Sequence, residues 1–266
     1  MNNQKLNYGN WISKKIMGVF LIITIILLVI SILFFPLYTN GPFWFLIVKV
    51  ILRIASGVIL VITLYLIYVN YQFSKNDNLL RHKLWDIVIN KLSWYGQGKA
   101  LDIGTGNGVL AIKLANKYPR AKIIGVDYWG KSWDHSKKIC EKNAFIEKVD
   151  DRIIFQKVTA AHLPFNDEEF DAVVSNFVFH EVRDIKNKRE VILEAFRVIR
   201  KGGFFSFQDI FSWKTIYGDL RELLDTIRGW GIENVQFANS CDLVKIPKLL
   251  RIPLMLGKSG IIYGKK

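Results

Sequence analysis

The chain has 266 residues, of which 51% are hydrophobic, and it carries a formal net charge of +14 at pH 7. This apolar content excludes a disordered chain, and the length accommodates one large domain or two small ones. The two cysteines lie in no Cys/His cluster, which argues against a disulfide framework or a metal site. The positive charge alone is compatible with nucleic acid, an anionic membrane surface or an acidic substrate.

The charge is unevenly distributed along the chain. Residues 1–69 contain five basic residues and no acidic residue. Residues 70–266 contain 32 basic and 23 acidic residues, a net charge of +9. We therefore expect an apolar N-terminal part followed by a basic globular domain in a reducing, cytosolic setting.

Two apolar runs predict a membrane hairpin within residues 1–71. The first, residues 16–38, is uncharged and long enough to cross a hydrocarbon core of about 30 Å. It is too long for the apolar core of a cleaved secretory signal, and no small-residue cleavage site follows it. The second, residues 43–69, is interrupted only by Lys49 and Arg53, which share one helix face and can extend toward the interface. The alternative, a buried helical pair in a soluble protein, would need a larger remainder to cover it.

Positive charge predicts the orientation of this hairpin. The flanking cations are Lys5, Lys14 and Lys15 before the first run, and Lys75, Arg81 and Lys83 after the second. Cytoplasmic flanks are enriched in Lys and Arg, so we expect a multi-pass membrane protein with both ends in the cytoplasm. Lys49 and Arg53 count against this orientation if they belong to the connecting loop.

Strand and helix patterns alternate through residues 72–266, beginning with an amphipathic helix that ends near Tyr95. The predicted strands are 99–103, 123–126, 152–158, 170–175, 204–207 and 260–264, and the predicted helices are 109–117, 132–143 and 188–200. A turn at Gly202-Gly203 is expected before the fifth strand. This alternation predicts a mostly parallel sheet with helices on both faces. Ligands bind such sheets at the carboxyl ends of the strands.

The segment ALDIGTGNGVLAIKLA, residues 100–115, carries the strongest signal for a ligand site. Its glycines are Gly104, Gly106 and Gly108. The dinucleotide-binding fingerprint would place a third glycine at position 109, which is Val109 here. Asp102 would also repel a pyrophosphate, whereas a carboxylate suits a ligand that bears an ammonium group. The GxGxG spacing with Asp102 resembles the first motif of class I S-adenosylmethionine-dependent methyltransferases.

Three further segments resemble motifs of the same family in the expected order. Asp127 follows Gly108 by nineteen residues and matches the second acidic position. AAHLPFNDEEFDAVVSNFVFHEV, residues 160–182, resembles the "LPF…FD" segment and fourth strand of a small-molecule, quinone-type branch. RVIRKGGFFSFQDIF, residues 197–211, resembles the helix, turn and fifth strand, with Lys201 in place of the usual proline.

This resemblance implies a Rossmann-like, seven-stranded sheet over residues 72–266 with S-adenosylmethionine as cofactor. The implied cofactor-binding residues are Asp102, Gly104, Thr105, Gly106, Gly108, Asp127, Tyr128, Thr159, Ala160 and Asn176. Asp127 would accept both ribose hydroxyls, and Tyr128 or Trp129 would lie against adenine. Thr159 stands where relatives often carry an acidic residue toward the adenine amino group. Its hydroxyl, or the backbone of Ala160, could make that contact instead.

His180 and Glu181, after the fourth strand, are the candidate catalytic residues. His180 is a candidate general base because histidine titrates near neutrality, the alternative being a histidine that packs or orients a neighbouring group. Asp209, at the end of the fifth strand, is a weaker candidate. Neither cysteine lies in a methyltransferase motif, and residues 175–178 lack the signature of amino-methylating nucleic-acid enzymes, so a nucleic-acid substrate is disfavoured.

The C-terminal segment, residues 242–257, interleaves cations with apolar residues. Such a composition suits a membrane surface, with cations at the head groups and apolar side chains below them. The alternative is a lid or a loop packed on the sheet before the last strand.

Together these patterns predict a membrane-anchored methyltransferase acting on a small lipophilic or amphiphilic acceptor. An anchor holds the site where a lipid-soluble acceptor is concentrated. Two alternatives stay open: a non-catalytic scaffold that retains the cofactor fold, and a nicotinamide oxidoreductase on a similar sheet. The oligomeric state is not indicated by the sequence.

Overall fold

The computed structural model describes residues 5–12, 14–33, 42–74, 79–130 and 135–266. The chain divides into two compact units, one formed by Asn10–Asn78 and the other by Met1–Gly9 together with Leu79–Lys266. The second unit is therefore discontinuous in sequence. The domain division at residues 71 and 72 stays a prediction.

The first unit consists of two long helices, α1 (Lys14–Leu33) and α2 (Phe43–Ser74). Their apolar windows have mean hydropathies of 3.2 and 2.5, and by length and composition both helices could cross a membrane. Only 6% of each window is buried, which is opposite to the burial of a core helix in a soluble protein. The end of the first predicted run, residues 34–38, lies outside the described residues.

Small polar side chains occupy the buried face between α1 and α2. Thr24, Ser56 and Thr63 are between 2% and 4% exposed, while most large apolar side chains of both helices are exposed. The hydroxyl oxygens of Thr24 and Thr63 are 2.7 Å apart. The Ser56 hydroxyl donates to the Leu27 carbonyl oxygen at 3.2 Å. Small residues and hydrogen-bonded hydroxyls between helices are typical of pairs that pack in lipid.

The second unit contains a seven-stranded sheet in the order β3-β2-β1-β4-β5-β7-β6. The strands are β1 (Gly98–Ile103), β2 (Ala121–Asp127), β3 (Ile153–Lys157), β4 (Phe170–Asn176), β5 (Ile199–Asp209), β6 (Asn234–Asn239) and β7 (Gly260–Lys265). Strand β7 is antiparallel to both of its neighbours, and the other pairs are parallel. The predicted α/β class and the Rossmann-like, mostly parallel sheet are confirmed.

Helices accompany this sheet before β1 and between most pairs of successive strands. They are α3 (Leu79–Lys91), α4 (Val109–Lys117), α5 (Lys137–Ile146), α6 (Lys188–Arg197), α7 (Lys214–Tyr217), α8 (Leu220–Gly229) and α9 (Ser240–Leu243), with 3-10 turns at Phe179–Glu181 and Lys248–Leu250. Strand β1 forms because a short apolar run is buried throughout from Ala100 to Ile103. Leu84 and Val88 of α3 are fully buried, and Trp85 and Ile89 beside them are 5% exposed, so α3 is buried around more than one face.

Several predicted helix boundaries are wrong. The amphipathic helix expected to end near Tyr95 ends at Lys91. The helix predicted at 132–143 begins at Lys137, because the Ser136 side chain accepts a hydrogen bond from the Ile139 N–H and caps it. Residues 132–134 lie outside the described residues. The helix predicted at 188–200 ends at Arg197, because Ile199 pairs with Phe170 in the sheet.

The predicted Gly202-Gly203 turn lies inside β5 rather than before it. The register between β4 and β5 slips between Phe170 and Ala172, and Gly202 has a φ of +74° at this irregularity. Glycine adopts that conformation without steric cost, so the strand can bulge and continue. No helix or strand was predicted for the segments that form α8 and β6. A signal for α8 was present, because Asp219 caps this helix and the buried Leu223 and Ile227 have helical spacing.

Candidate active site

The glycine loop between β1 and α4 is held against the end of β2. The N–H groups of Gly104 and Thr105 donate to the Val126 carbonyl oxygen at 2.7 and 2.9 Å. Gly104 has a φ of +72°, and a Cβ atom there would lie 2.0 Å from Cγ2 of Val178. Only glycine fits this position, because both the backbone conformation and the close approach exclude a side chain.

Asp102 lies beneath this loop and is 1% exposed. Its Oδ2 accepts hydrogen bonds from the Thr105 hydroxyl at 2.7 Å and from the Ala111 N–H at 3.0 Å. Burial raises the pKa of Asp102 to about 7, although both hydrogen bonds act to lower it. Asp102 thus ties β1, the loop and the first turn of α4 together, a role that sequence reasoning did not assign.

Asp127, at the end of β2, holds the other side of the loop. Its Oδ2 accepts the Gly106 N–H and its Oδ1 accepts the Trp129 N–H, both at 2.8 Å. A carboxylate offers about four acceptor positions, so two remain for further donors. The two hydroxyls of a ribose could donate one hydrogen bond to each of these two positions.

The two aromatic candidates for adenine stacking differ in environment. Trp129 is half-buried, and its indole Nε1–H donates to the Gly106 carbonyl oxygen at 2.8 Å. Tyr128 is 63% exposed, with the Lys157 ammonium 5.5 Å from its ring centroid. Trp129 is therefore fixed on the glycine loop, whereas Tyr128 presents a largely uncovered ring.

Thr159 and Ala160 follow β3 and are both half-buried. The Thr159 hydroxyl donates to Oδ2 of Asp184 at 2.9 Å and accepts the Ala161 N–H at 3.3 Å. Asp184 therefore supplies a carboxylate beside the position where the resemblance led us to expect an acidic residue. Sequence reasoning missed it because Asp184 lies 25 residues further along the chain.

Asn176, at the carboxyl end of β4, carries an orphaned acceptor. Its Oδ1 is buried and has no hydrogen-bond partner in the structure. Oε1 of Gln208, which pairs with Asn176 across β4 and β5, is in the same situation. A buried acceptor without a partner costs about 1–3 kcal/mol, so such atoms indicate where a ligand can donate hydrogen bonds. With the glycine loop and Asp127, these residues fit a ligand that bears an amine and a ribose, such as S-adenosylmethionine.

His180 forms a close pair with Asp209, the last residue of β5. His180 Nδ1 lies 2.5 Å from Oδ1 of Asp209, which is fully buried, and Nε2 lies 3.5 Å from Oε1 of Glu181. Burial lowers the pKa of His180, but the charge and hydrogen bond of Asp209 outweigh it and raise the pKa to about 10. The hydrogen bond from His180 in turn lowers the pKa of Glu181. Titration of His180 near neutrality was therefore a wrong expectation, because the sequence did not reveal its pairing with Asp209.

Tyr217, the last residue of α7, is a further residue near Asp209 that sequence reasoning missed. It is 1% exposed and packs on Phe211 with ring centroids 5.1 Å apart. Burial, and after it the negative charge of Asp209, holds the pKa of Tyr217 well above its ordinary value of 10. The sequence signal for a buried tyrosine at this position is weak, because the helix α7 that carries it has only four residues.

Residues near the start of the chain also contact the glycine loop. Asn143 of α5 is fully buried, and its Oδ1 accepts the Asn7 N–H at 3.0 Å. Its Nδ2 donates to the carbonyl oxygens of Asn7 and Asn107, both at 2.9 Å. The Tyr8 hydroxyl adds a bond to Glu147 at 3.1 Å. We call residues 5–9 the N-terminal strap, because they bind α5 and the glycine loop together.

Metal-ligand clusters were sought across the described ranges, without their gaps, and no group of three or more His, Cys, Asp or Glu residues there suits a metal ion. Cys140 is buried, its Sγ lies 3.1 Å from the Gly106 carbonyl oxygen, and burial raises the pKa of its thiol. The side chain therefore supports the glycine loop and is not poised as a nucleophile.

Comparison with known proteins agrees with this geometry. Residues 101–207 match the family model described as "Methyltransferase domain". A demethylmenaquinone methyltransferase of Roseiflexus castenholzii is 36% identical over 107 residues, which cover 40% of each chain. A demethylmenaquinone methyltransferase of Porphyromonas gingivalis is 30% identical over 155 residues, covering 56% of this chain and 59% of that protein. The chain thus spans less than two thirds of the length of these relatives.

Among solved structures, geranyl diphosphate C-methyltransferase from Streptomyces coelicolor shares the fold. Its TM-score is 0.54 at 11% sequence identity, and the superposition covers 75% of this chain and 81% of that chain. At this identity the likeness concerns the fold alone.

Proposed function

We propose that the whole chain is a membrane-anchored class I S-adenosylmethionine-dependent methyltransferase, and that residues 101–207, which match the model described as "Methyltransferase domain", form its catalytic part. Its acceptor in this proposal is a small lipophilic molecule of quinone type. The names of the relatives support the acceptor class, since two of the proteins that match part of this chain are demethylmenaquinone methyltransferases.

The observation that carries the proposal is the glycine loop clamped between Asp102 and Asp127. When bound, S-adenosylmethionine supplies an electrophilic methyl carbon on a sulfonium. In this chain the Asp127 carboxylate keeps acceptor positions for ribose hydroxyls, and Asn176 keeps a buried acceptor for an amine. Asp102 remains a proposed partner of the same amine. Tyr128 or Trp129 would cover the adenine ring, and Thr159 with Ala160 would contact its edge.

The acceptor atom forms a bond to the methyl carbon while the carbon–sulfur bond breaks and its electron pair stays on sulfur. The protein mainly aligns the two partners and excludes water. With its pKa near 10, His180 is a cation at neutral pH when Asp209 is ionised. In our proposal the hydroxyl proton of a quinol-type acceptor passes to solvent water before transfer, and this imidazolium stabilises the oxyanion that is left. Glu181 would receive a hydrogen bond from the same ring.

The membrane part of the proposal rests on two features of the chain. The helices α1 and α2 are long and apolar enough to span, with small polar residues between them. The strap before α1 and the domain after α2 belong to the same compact unit. A segment inserted between two parts of one unit must leave and re-enter on the same side of a bilayer. This supports the two-span topology with both ends in the cytoplasm that the flanking lysines predict.

The test uses the full chain in detergent and two measurements. Calorimetric titration with S-adenosylhomocysteine should detect binding, and Asp127→Ala should weaken it at least tenfold, because two backbone N–H donors lose a charged partner. The matched control is Asp150→Ala, since Asp150 is exposed and lies after the end of α5. Transfer of labelled methyl from S-adenosylmethionine should then be seen to a prenylated naphthoquinol.

Three outcomes would contradict the proposal. Absence of S-adenosylhomocysteine binding would favour the hypothesis of a non-catalytic scaffold that retains the cofactor fold. Binding of NADH in its place would favour an oxidoreductase. Methyl transfer only to water-soluble acceptors, at a rate unchanged by lipid, would exclude the membrane-borne acceptor while leaving the methyltransferase activity intact.

A further inference from the structure

The chain between α9 and β7 forms a surface that is both apolar and basic. We call residues 243–258 the basic-apolar loop. Its exposed apolar side chains are Leu243, Leu249, Ile252 and Leu254, which are 39%, 57%, 37% and 74% exposed. Its exposed cations are Lys245, Lys248 and Arg251. The loop contains no acidic residue, and within the described residues no carboxylate forms an ion pair with these three cations.

The exposure of these side chains is built into the loop. Ile246, Leu250 and Leu256 are at most 5% exposed and anchor its inner face. The Leu256 N–H donates to the Leu250 carbonyl oxygen at 3.0 Å. At Gly257 a Cβ atom would lie 2.0 Å from the Arg251 carbonyl oxygen, so the chain closes on itself there. A loop fixed in this way presents its apolar and basic outer face permanently.

The loop follows β6 and α9 and rejoins the sheet at β7, next to the carboxyl end of β5. Gly260 pairs with Asp209 on one side and with Asn239 on the other. The Ser212 N–H, three residues beyond Asp209, donates to the Lys258 carbonyl oxygen at 3.2 Å. Asp209 is the partner of His180. The basic-apolar loop therefore rejoins the sheet beside the pair to which we assign the acceptor.

We propose that the basic-apolar loop docks on the surface of an anionic lipid bilayer, beside the entrance for the acceptor. Three cations without an acidic residue complement anionic head groups, and the exposed leucines and isoleucine suit the boundary with the acyl chains. In the proposed function the same chain is anchored in a membrane, so a bilayer is available to this loop. This inference rests on the proposed function, because it gives a lipid-soluble acceptor a short path from the bilayer to His180.

The experiment places a fluorescent probe on the loop of the full chain. Cys241→Ser removes the partly accessible thiol, and Cys140 is buried. Leu254→Cys is then labelled with a nitrobenzoxadiazole group, and the protein is reconstituted in nanodiscs of phosphatidylcholine with or without phosphatidylglycerol. The matched control is Ile154→Cys, which is 59% exposed on β3 at the opposite edge of the sheet.

We expect blue-shifted and several-fold stronger emission at position 254 in the anionic nanodiscs only, and an aqueous spectrum at position 154 in both. Lys245→Glu combined with Lys248→Glu should abolish the change at 254, since these side chains supply the charge. An aqueous spectrum at 254 in both lipids would overturn the proposal and leave this face to a protein partner. S-adenosylhomocysteine binding is measured on the same samples: binding without an emission change refutes only the docking, whereas loss of binding refutes the proposed function itself.

Discussion

The imidazole of His180 and the carboxylate of Asp209 form a buried acid–base pair at the carboxyl ends of β4 and β5. Nδ1 and Oδ1 are 2.5 Å apart, and Oδ1 also accepts the Ile210 N–H at 2.6 Å. Because Asp209 is fully buried, its charge is compensated mainly by His180. The pair therefore favours the imidazolium form well above neutral pH.

Replacing Asp209 by Asn should move the titration of His180 into the neutral range. The variant removes the charge that raises the pKa of His180 to about 10 and leaves burial, which lowers it. The rate of methyl transfer should show no inflection from His180 between pH 6 and 9 in the wild type, and an inflection near or below pH 6.5 in Asp209→Asn. Glu181→Gln should shift the titration of His180 by less than Asp209→Asn, because Oε1 of Glu181 lies 3.5 Å from the ring whereas Oδ1 of Asp209 lies 2.5 Å from it. Identical pH profiles for wild type and Asp209→Asn would refute this assignment.

The same pair should make stability depend on pH. Because the folded pKa of His180 lies above its unfolded value near 6.5, the pair's contribution is complete below pH 6.5. It is lost progressively as the pH rises through about 10. The difference in free energy of unfolding between wild type and His180→Gln should therefore shrink from pH 6 to pH 10. Denaturant titrations in detergent at several pH values measure it, and a constant difference would contradict the raised pKa.

Asp102→Asn should change the pH dependence of stability in the acidic range. The folded pKa of Asp102 is raised to about 7, so the folded wild-type protein binds an extra proton between about pH 4 and 7 and loses stability as the pH rises. The neutral amide removes this dependence while its Oδ1 can still accept from Thr105 and Ala111. The stability of the variant relative to wild type should increase from pH 4 to 7 and stay level above it. A relative stability that is flat from pH 4 to 8 would show that Asp102 titrates normally.

Thr63→Val should weaken the helix pair α1–α2. The variant keeps the shape of the side chain but removes the hydroxyl that lies 2.7 Å from that of Thr24. Interhelical hydrogen bonds in lipid contribute about 0.6 kcal/mol on average and up to about 1.7 kcal/mol. Unfolding in mixed micelles should show a loss of this size, and Thr63→Ser, which keeps a hydroxyl, should lose less. Equal losses in the two variants would mean that packing, and not the hydrogen bond, holds the pair.

Asn143→Ala should release the N-terminal strap from the glycine loop. The change removes the partner of the Asn7 N–H and the donor to two carbonyl oxygens, at about 1–3 kcal/mol for each group left buried without a partner. Hydrogen exchange should become faster in the peptide covering residues 104–111, and S-adenosylhomocysteine should bind more weakly. Asn234→Ala, at an exposed position of β6, is the control. Unchanged exchange in residues 104–111 would show that the loop is rigid without the strap.

Local patterns account for the parts of the site that the sequence predicted. The glycine loop and Asp127 lie within one β-α-β unit, so fixed spacing along the chain reports their proximity. The parts that were missed depend on contacts between distant positions. Asn7 meets Asn143 across 136 residues, and Thr159 meets Asp184 across 25. The pKa of His180 could not be foreseen for the same reason, because Asp209 lies 29 residues away.

The N-terminal strap imposes an order on biosynthesis. Asn7 leaves the ribosome before both apolar helices, but its partner Asn143 follows 136 residues later. At about 5–20 residues per second, translation of that stretch takes about 7–27 s. Both apolar helices are therefore synthesised long before the domain can close over the strap. A chain whose translation stops before α5 would contain both apolar helices but would lack the partner of Asn7, and with it a completed glycine-loop site.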